Sequence, residues 1–83
     1  MYEIYHELVD AIAHGERAVL ATVISSQGSA PRHIGAKMLF KRDGSTVGTV
    51  GGGGVEQQVR EKAIGMLHSR DAQIIHFDLS GSG

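Results

Sequence analysis

Cysteine is absent from this sequence of 83 residues, and proline occurs once. The first absence excludes a disulfide scaffold, a thiolate zinc site, an iron–sulfur cluster and a cysteine nucleophile. The second, with no G-X-Y period among the twelve glycines, excludes collagen and Pro/Gly-rich disorder. Charge of one sign is not in excess either. Eight Lys/Arg against nine Asp/Glu give a formal net charge of -1, so no global field draws the chain to nucleic acid or membrane. No apolar run approaches the ~20 residues that cross a bilayer. The acidic, amphipathic start from Met1 to Glu7 lacks the charged-then-apolar layout of a signal peptide. A soluble, cytoplasmic protein is expected.

What remains is a globular composition, 41% hydrophobic, in a length that holds one domain over 1–83 with a modest core. Residues 2–14 have helical spacing: Tyr5, Leu8, Val9 and Ile12 fall on one stripe, and Gly15 follows as a C′ glycine. Residues 17–25 change period. Ala18 to Ile24 is nearly continuous apolar and rich in β-branching, which predicts a strand buried on both faces. Lys37–Lys41 and Thr46–Val50 read as a hairpin turning on Arg42-Asp43-Gly44-Ser45. After Gly51-Gly52-Gly53-Gly54, the residues Val55, Val59, Ala63, Met66 and Leu67 share a helical face. Gly65 within that helix costs about 1 kcal/mol relative to alanine unless a neighbouring backbone needs the space. Gln73–Phe77 predicts a last strand, and residues 79–83 a flexible tail. The expected fold class is α+β, a small mixed or antiparallel sheet with two packed helices in the order α-β-β-β-α-β. Both helices are expected on one sheet face, leaving the other open to self-association or docking.

Two segments carry chemistry. A strand ending in four glycines that turns into a helix aims backbone N–H groups at one point, where the helix dipole adds about half a positive charge. Phosphate or carboxylate binds such a corner without a side chain; the alternative is a tight corner where side chains would clash. The dinucleotide fingerprint is not met, because G-x-G-x-x-G begun at Gly51 ends on Glu56 and begun at Gly52 ends on Gln57. No Lys and Ser/Thr pair follows, so this is not a P-loop, and a small nucleotide-binding domain is the weakest functional class. Glu56 either caps the helix or accepts hydrogen bonds from ligand N–H groups. The second segment, 25–37, supplies the hydroxyl of Ser29 and the cations Arg32 and Lys37, either as an ordinary solvated loop or as a second wall of the anion site. His6, His14, His33, His68 and His76 show no metal-ligand spacing, and no Ser nucleophile context or acid–base set is found. No catalytic and no metal residue is assigned, and a binding protein is favoured over an enzyme.

Several stretches then resemble the amino-terminal domain of the xanthine dehydrogenase accessory factors of the XdhC/CoxI type. They are Ala21–Arg32, Gly35–Leu39, Asp43-Gly44 and Val47–Glu56, in order and spread over about residues 17–78. The resemblance implies a cytoplasmic maturation factor. Such factors bind molybdenum cofactor (molybdopterin), support its sulfuration with a cysteine desulfurase and deliver it to a molybdenum hydroxylase client. Taken with the residue reading, it leads to the expectation that Gly51, Gly52, Gly53, Gly54, Ser29, Arg32 and Lys37 anchor the cofactor phosphate while Glu56 and backbone groups address the pterin. A homo-oligomer is expected. Two departures stand out. Gly54 occupies the place where the family usually has a cysteine, and family members continue into a Rossmann-like domain beyond the point where this sequence stops. A small stand-alone paralogue, or a fragment completed by another chain, is the expectation. The competing class is a dimerising or docking module that has lost cofactor binding.

Overall fold

The computed structural model describes residues 2–25 and 34–76. Its elements are α1 (Tyr2–Ala13), β1 (Ala18–Thr22), β2 (Lys37–Lys41), β3 (Thr46–Gly48) and α2 (Gly53–Met66). The strands form one antiparallel sheet in the order β1-β2-β3. Two helices on a small antiparallel sheet is the α+β class expected.

Local chemistry accounts for the joints. α1 closes on Gly15 at φ 67°. There the Glu16 N–H donates to the Ala11 carbonyl at 2.9 Å and the Gly15 N–H to the Ile12 carbonyl at 3.1 Å, a Schellman closure. His14 Nδ1 lies 2.8 Å from the Asp10 carbonyl at the same helix end. The hairpin turns on Arg42–Ser45 as expected. Gly44 takes φ 92°, and Asp43 Oδ1 accepts from the Ser45 N–H at 2.9 Å and hydroxyl at 2.6 Å. Those bonds hold the Asp43 carboxyl below the ordinary aspartate value.

The register divides the side chains between two faces. Ala18, Leu20 and Thr22 pair with Lys41, Leu39 and Lys37, and Leu39 pairs in turn with Val47. Val19 and Ala21 pair with Phe40 and Met38 on the opposite face. Met38, Phe40, Val50, Val55 and Ala63 form the main core, with Val19, Ala21, Val23 and Val59 packed against it. α2 therefore covers the Met38/Phe40 face, seated on β1 and β2. The Arg60 guanidinium lies 5.9 Å from the Phe40 ring centroid and donates to the Gly44 carbonyl at 3.2 Å. α1 lies on the other face over β2 and β3, where Lys41 Nζ donates to Glu7 Oε1 at 2.9 Å.

Four expectations change here. The helices sit on opposite faces of the sheet, because the hairpin strand β2 is apolar on both sides and each side needs a cover. The strand buried on both faces is accordingly β2, with Leu39 at 0% exposure, whereas β1 is an edge strand with Leu20 and Thr22 exposed. In α1 the buried residues are Ile4 and Ala11, with Leu8 half-buried, while Tyr5, Val9 and Ile12 face solvent. A helix with apolar residues on two adjacent flanks can bury only one of them against a three-stranded sheet. Finally, residues 73–76 form no strand, and Phe77 and the tail 79–83 lie outside the described residues. Gln73, Ile74 and Ile75 border a groove with Leu20, Thr22 and Ile24. The segment thus lines a groove together with β1 without being assigned to the sheet.

Glycines separate sharply in what they do. A Cβ on Gly48, at φ 84°, would stand 2.5 Å from Ile4 Cδ1 and 2.5 Å from the Lys37 carbonyl oxygen. A Cβ on Gly65 would meet nothing within 4 Å, so no neighbour needs that space. In urea unfolding, Gly48→Ala should lose about 2–4 kcal/mol through strain and overpacking. Gly65→Ala should gain up to about 1 kcal/mol. An equal response of the two would contradict the close approach at Gly48.

The charged pairs set the pH dependence. The hydrogen bond from Lys41, then its charge, holds the Glu7 carboxyl below its ordinary value of 4.5. Stability from this pair is therefore present above the unfolded value and lost as pH falls through the lower, folded one. The bond to the Asp10 carbonyl, then the Asp10 charge, raises His14 above 6.5. Its contribution is complete below 6.5 and disappears as pH rises through the higher, folded value. Melting temperatures measured from pH 3 to 9 should show a shallower acid limb in Glu7→Gln. The parent's small decline above pH 6.5 should be absent in His14→Asn.

Candidate functional site

The glycine corner starts where β3 is forced to stop. Gly48 cannot continue the pleat at φ 84°, and the chain leaves the sheet at Thr49. Val50 and Val55, both buried in the core, pin the two ends of the corner. Between them Gly51 takes φ 133° and Gly52 φ 77° with ψ 179°, conformations open to glycine and little else. Gly53 and Gly54 are already in the first turn of α2. A Cβ on Gly54 would meet nothing within 4 Å. Backbone conformation thus demands the first two glycines and leaves the fourth unforced.

Glu56 ties the corner together. Its Oε2 accepts from the Thr49 hydroxyl and, at 2.9 Å, from the Gly52 N–H. The Gly51 N–H donates to Thr49 Oγ1 at 3.1 Å. Of the two roles open to Glu56 in the sequence, capping is the one the geometry displays. A carboxylate has about four lone-pair sites, so capping does not exhaust its acceptor capacity. Sequence reasoning gives no sign of Thr49. A hydroxyl seven residues before a carboxylate has no helical or strand period, and only a glycine-rich stretch between them brings the two together.

The amides of Gly53, Gly54 and Val55 precede the first intrahelical acceptor of α2 and lie at the positive end of its dipole. Gly54 is exposed. The Glu56 carboxylate is bonded to the Gly52 N–H beside these amides, and the space at Gly54 is open.

Lys37 begins β2, on the same face as Leu39 and opposite Thr22. Its carbonyl lies close to Gly48, so it belongs to the end of the sheet from which the corner departs. Among the described residues no hydrogen bond or ion pair joins its ammonium to the corner. Beyond Thr22 the ladder of β1 and β2 continues through the Val23 N–H to the Ala36 carbonyl at 2.9 Å and the Gly35 N–H to the Val23 carbonyl at 2.7 Å. The connection between these strands therefore leaves from the same sheet end as the corner. Ser29 and Arg32, on that connection, lie outside the described residues. Among the described residues no three His, Asp or Glu side chains gather to hold a metal ion. No described helix is long and apolar enough to cross a membrane.

Comparison with known proteins gives a consistent set of matches. The XdhC and CoxI family model matches residues 11–78. A probable subunit of xanthine dehydrogenase from Bacillus subtilis is 37% identical over 76 residues, 90% of this chain and 23% of that protein. The molybdenum cofactor insertion chaperone PaoD of Escherichia coli is 40% identical over 67 residues, 80% of this chain and 21% of that one. The uncharacterized protein YqeB of the same organism is 42% identical over 64 residues, 77% of this chain and 12% of its own length. The chain thus spans less than a quarter of the length of these relatives. No solved structure matches.

The corner's geometry separates its glycines by experiment. Gly52→Ala should lose about 1–3 kcal/mol in chemical unfolding, the cost of forcing a side chain into that conformation. Gly54→Ala, in open helical space, should be neutral or gain up to about 1 kcal/mol. A destabilised Gly54→Ala would show that the fourth glycine is structurally required.

Proposed function

The chain belongs to the XdhC and CoxI family, and on that footing we propose that it is an accessory factor which binds molybdenum cofactor and passes it to a molybdenum hydroxylase. The reading is carried by one observation: the amides at the start of α2, beside a conformationally fixed glycine corner, suit the phosphate that molybdopterin carries. Gly53, Gly54 and Val55 would donate to that phosphate. Lys37 would add positive charge from the same end of the sheet, and Arg32 and Ser29 are proposed to contribute a guanidinium and a hydroxyl. The remaining acceptor capacity of Glu56 would serve the N–H groups of the pterin. The cofactor, when bound, supplies the molybdenum chemistry of the client; this chain's part is to hold and orient it.

The names of two relatives support the client class: one is a probable subunit of xanthine dehydrogenase, the other a molybdenum cofactor insertion chaperone. A cysteine desulfurase is the second proposed partner, acting in the cytoplasm on cofactor held by the accessory factor. Gly54, where the family usually has cysteine, makes this chain's grip one of backbone amides and not of a thiolate.

A second reading, a docking or dimerising module without cofactor affinity, draws on a different observation. Apolar residues of α1 and β1 stand uncovered on one side of the sheet.

Calorimetric titration with molybdenum cofactor released from a molybdenum enzyme tests the choice. Gly54→Asp, which fits the open space but puts a carboxylate before the amides, should weaken binding at least tenfold. Arg32→Ala should weaken it as well, and Gly54→Cys should strengthen it if a thiolate can add to the grip. Equal binding by parent, Gly54→Asp and Arg32→Ala would remove the site assignment. No binding by the parent would favour the module.

A further inference from the structure

The two helices are offset as well as opposed. α2 covers β1 and β2 on its face, and α1 covers β2 and β3 on the other. Each is seated mainly on two of the three strands. On the α2 side the outer strand presents the half-buried hydroxyl side chain of Thr46. On the α1 side it presents Leu20, Thr22 and Ile24, bordered by Ile74 and Ile75 in a groove of about 230 Å³.

Beside that groove runs the bare flank of α1. Glu3, His6 and Glu7 border Val47 of β3, so the opposite flank, with Tyr5, Val9 and Ile12, is turned toward β1. At about 100° per residue, Tyr5 and Ile12 point roughly 80–100° from the sheet-facing direction of Ile4, and Val9 roughly 140°. Tyr5 and Ile12 thus look sideways over the groove, while Val9 looks outward. Tyr5, Val9, Ile12, Leu20, Ile24 and Ile74 are between 36% and 73% exposed. They hold on the order of 600 Å² of apolar surface per copy, near the ~800 Å² per partner of a standard stable interface.

We propose that this face, a ridge at Tyr5–Val9–Ile12 beside a groove at Leu20–Ile24–Ile74, is the contact surface for a second copy of this chain. Ridge and groove lie side by side on one surface. A twofold axis running between them lays the partner's α1 alongside this α1 and puts the partner's β1 groove over Val9. A single foreign helix in the groove would meet Tyr5 and Ile12 and leave Val9 in water. Neither ridge nor groove contributes a charged residue, as suits the core of an interface between copies. The proposal is independent of cofactor binding, and its test reads mass and proximity alone.

Sedimentation equilibrium of the full chain should show a dimer. Ile12→Arg or Leu20→Arg should raise its dissociation constant at least tenfold, while Ile64→Arg, an exposed α2 position outside the face, should not. Ile12 is well exposed, so that variant keeps its fold by circular dichroism even if Leu20→Arg does not. Because the chain has no cysteine, Val9→Cys mixed with Leu20→Cys should form a disulfide between copies on mild oxidation, and neither should do so alone. The proposal is overturned by a monomer at every concentration, by a dimer indifferent to both arginine variants, or by failure of the mixed pair to cross-link. Slow hydrogen exchange at residues 73–76 in a monomeric chain would likewise overturn it, by showing that the chain's own segment closes the groove.

Discussion

At Gly48 the edge strand, the first helix and the start of the central strand meet more closely than any other residue type allows. Ile4 of α1 and the Lys37 carbonyl both occupy the space a side chain would take. That contact seats α1 on the sheet, ends β3 after three residues and turns the chain toward Val50, which enters the core on the α2 side. The glycine corner is therefore a consequence of how the sheet closes, not an insertion placed on it. Its amides point where they do because the strand before them stopped early. The helix after them was anchored at Val55 in the same core.

The corner also separates two kinds of glycine that a run of four makes look alike. Gly51 and Gly52 are held in conformations that side chains rarely adopt, and Gly52 gives its N–H to Glu56. Gly54 is helical, exposed and unforced. Where a fold does not require glycine, its smallness is available for approach by something else. Gly54 is also the position at which the resemblance described above sets a thiol in the family. A Cβ there would meet nothing within 4 Å, so the packing sets no demand for glycine at that position.

Much of the fold was legible because the strongest signals were local. Gly15 after an amphipathic run, Asp43-Gly44 between two apolar runs, and Val55, Val59 and Ala63 at helical spacing each specify their element through neighbours a few residues away. The misread features were those decided by distant partners. Whether Ile4 or Tyr5 marks the buried flank of α1 depends on the shape of the sheet beneath it, since both lie on plausible apolar stripes. Whether Ala18–Ile24 is a central or an edge strand depends on residues 73–76, whose β-branched run reads as a strand but is not part of the sheet. At the site, the glycine run and Glu56 were visible in the sequence. The Thr49 latch was not, because the fold of the corner itself creates that contact.

The division of the sheet into four quadrants gives the remaining logic. Two helices cover three strands completely on neither face, so one quadrant per face is left over. On the α2 side β3 presents the hydroxyl of Thr46, a residue that suits partial exposure to water. Leu20, Thr22 and Ile24 are a different composition, and retaining two large aliphatic side chains there carries an aggregation hazard at an edge strand. Small domains shed such hazards readily by single polar substitutions, since surface changes alter stability little. The groove keeps its apolar floor next to an equally apolar helix flank. On the proposal made above, one partner surface covers both together.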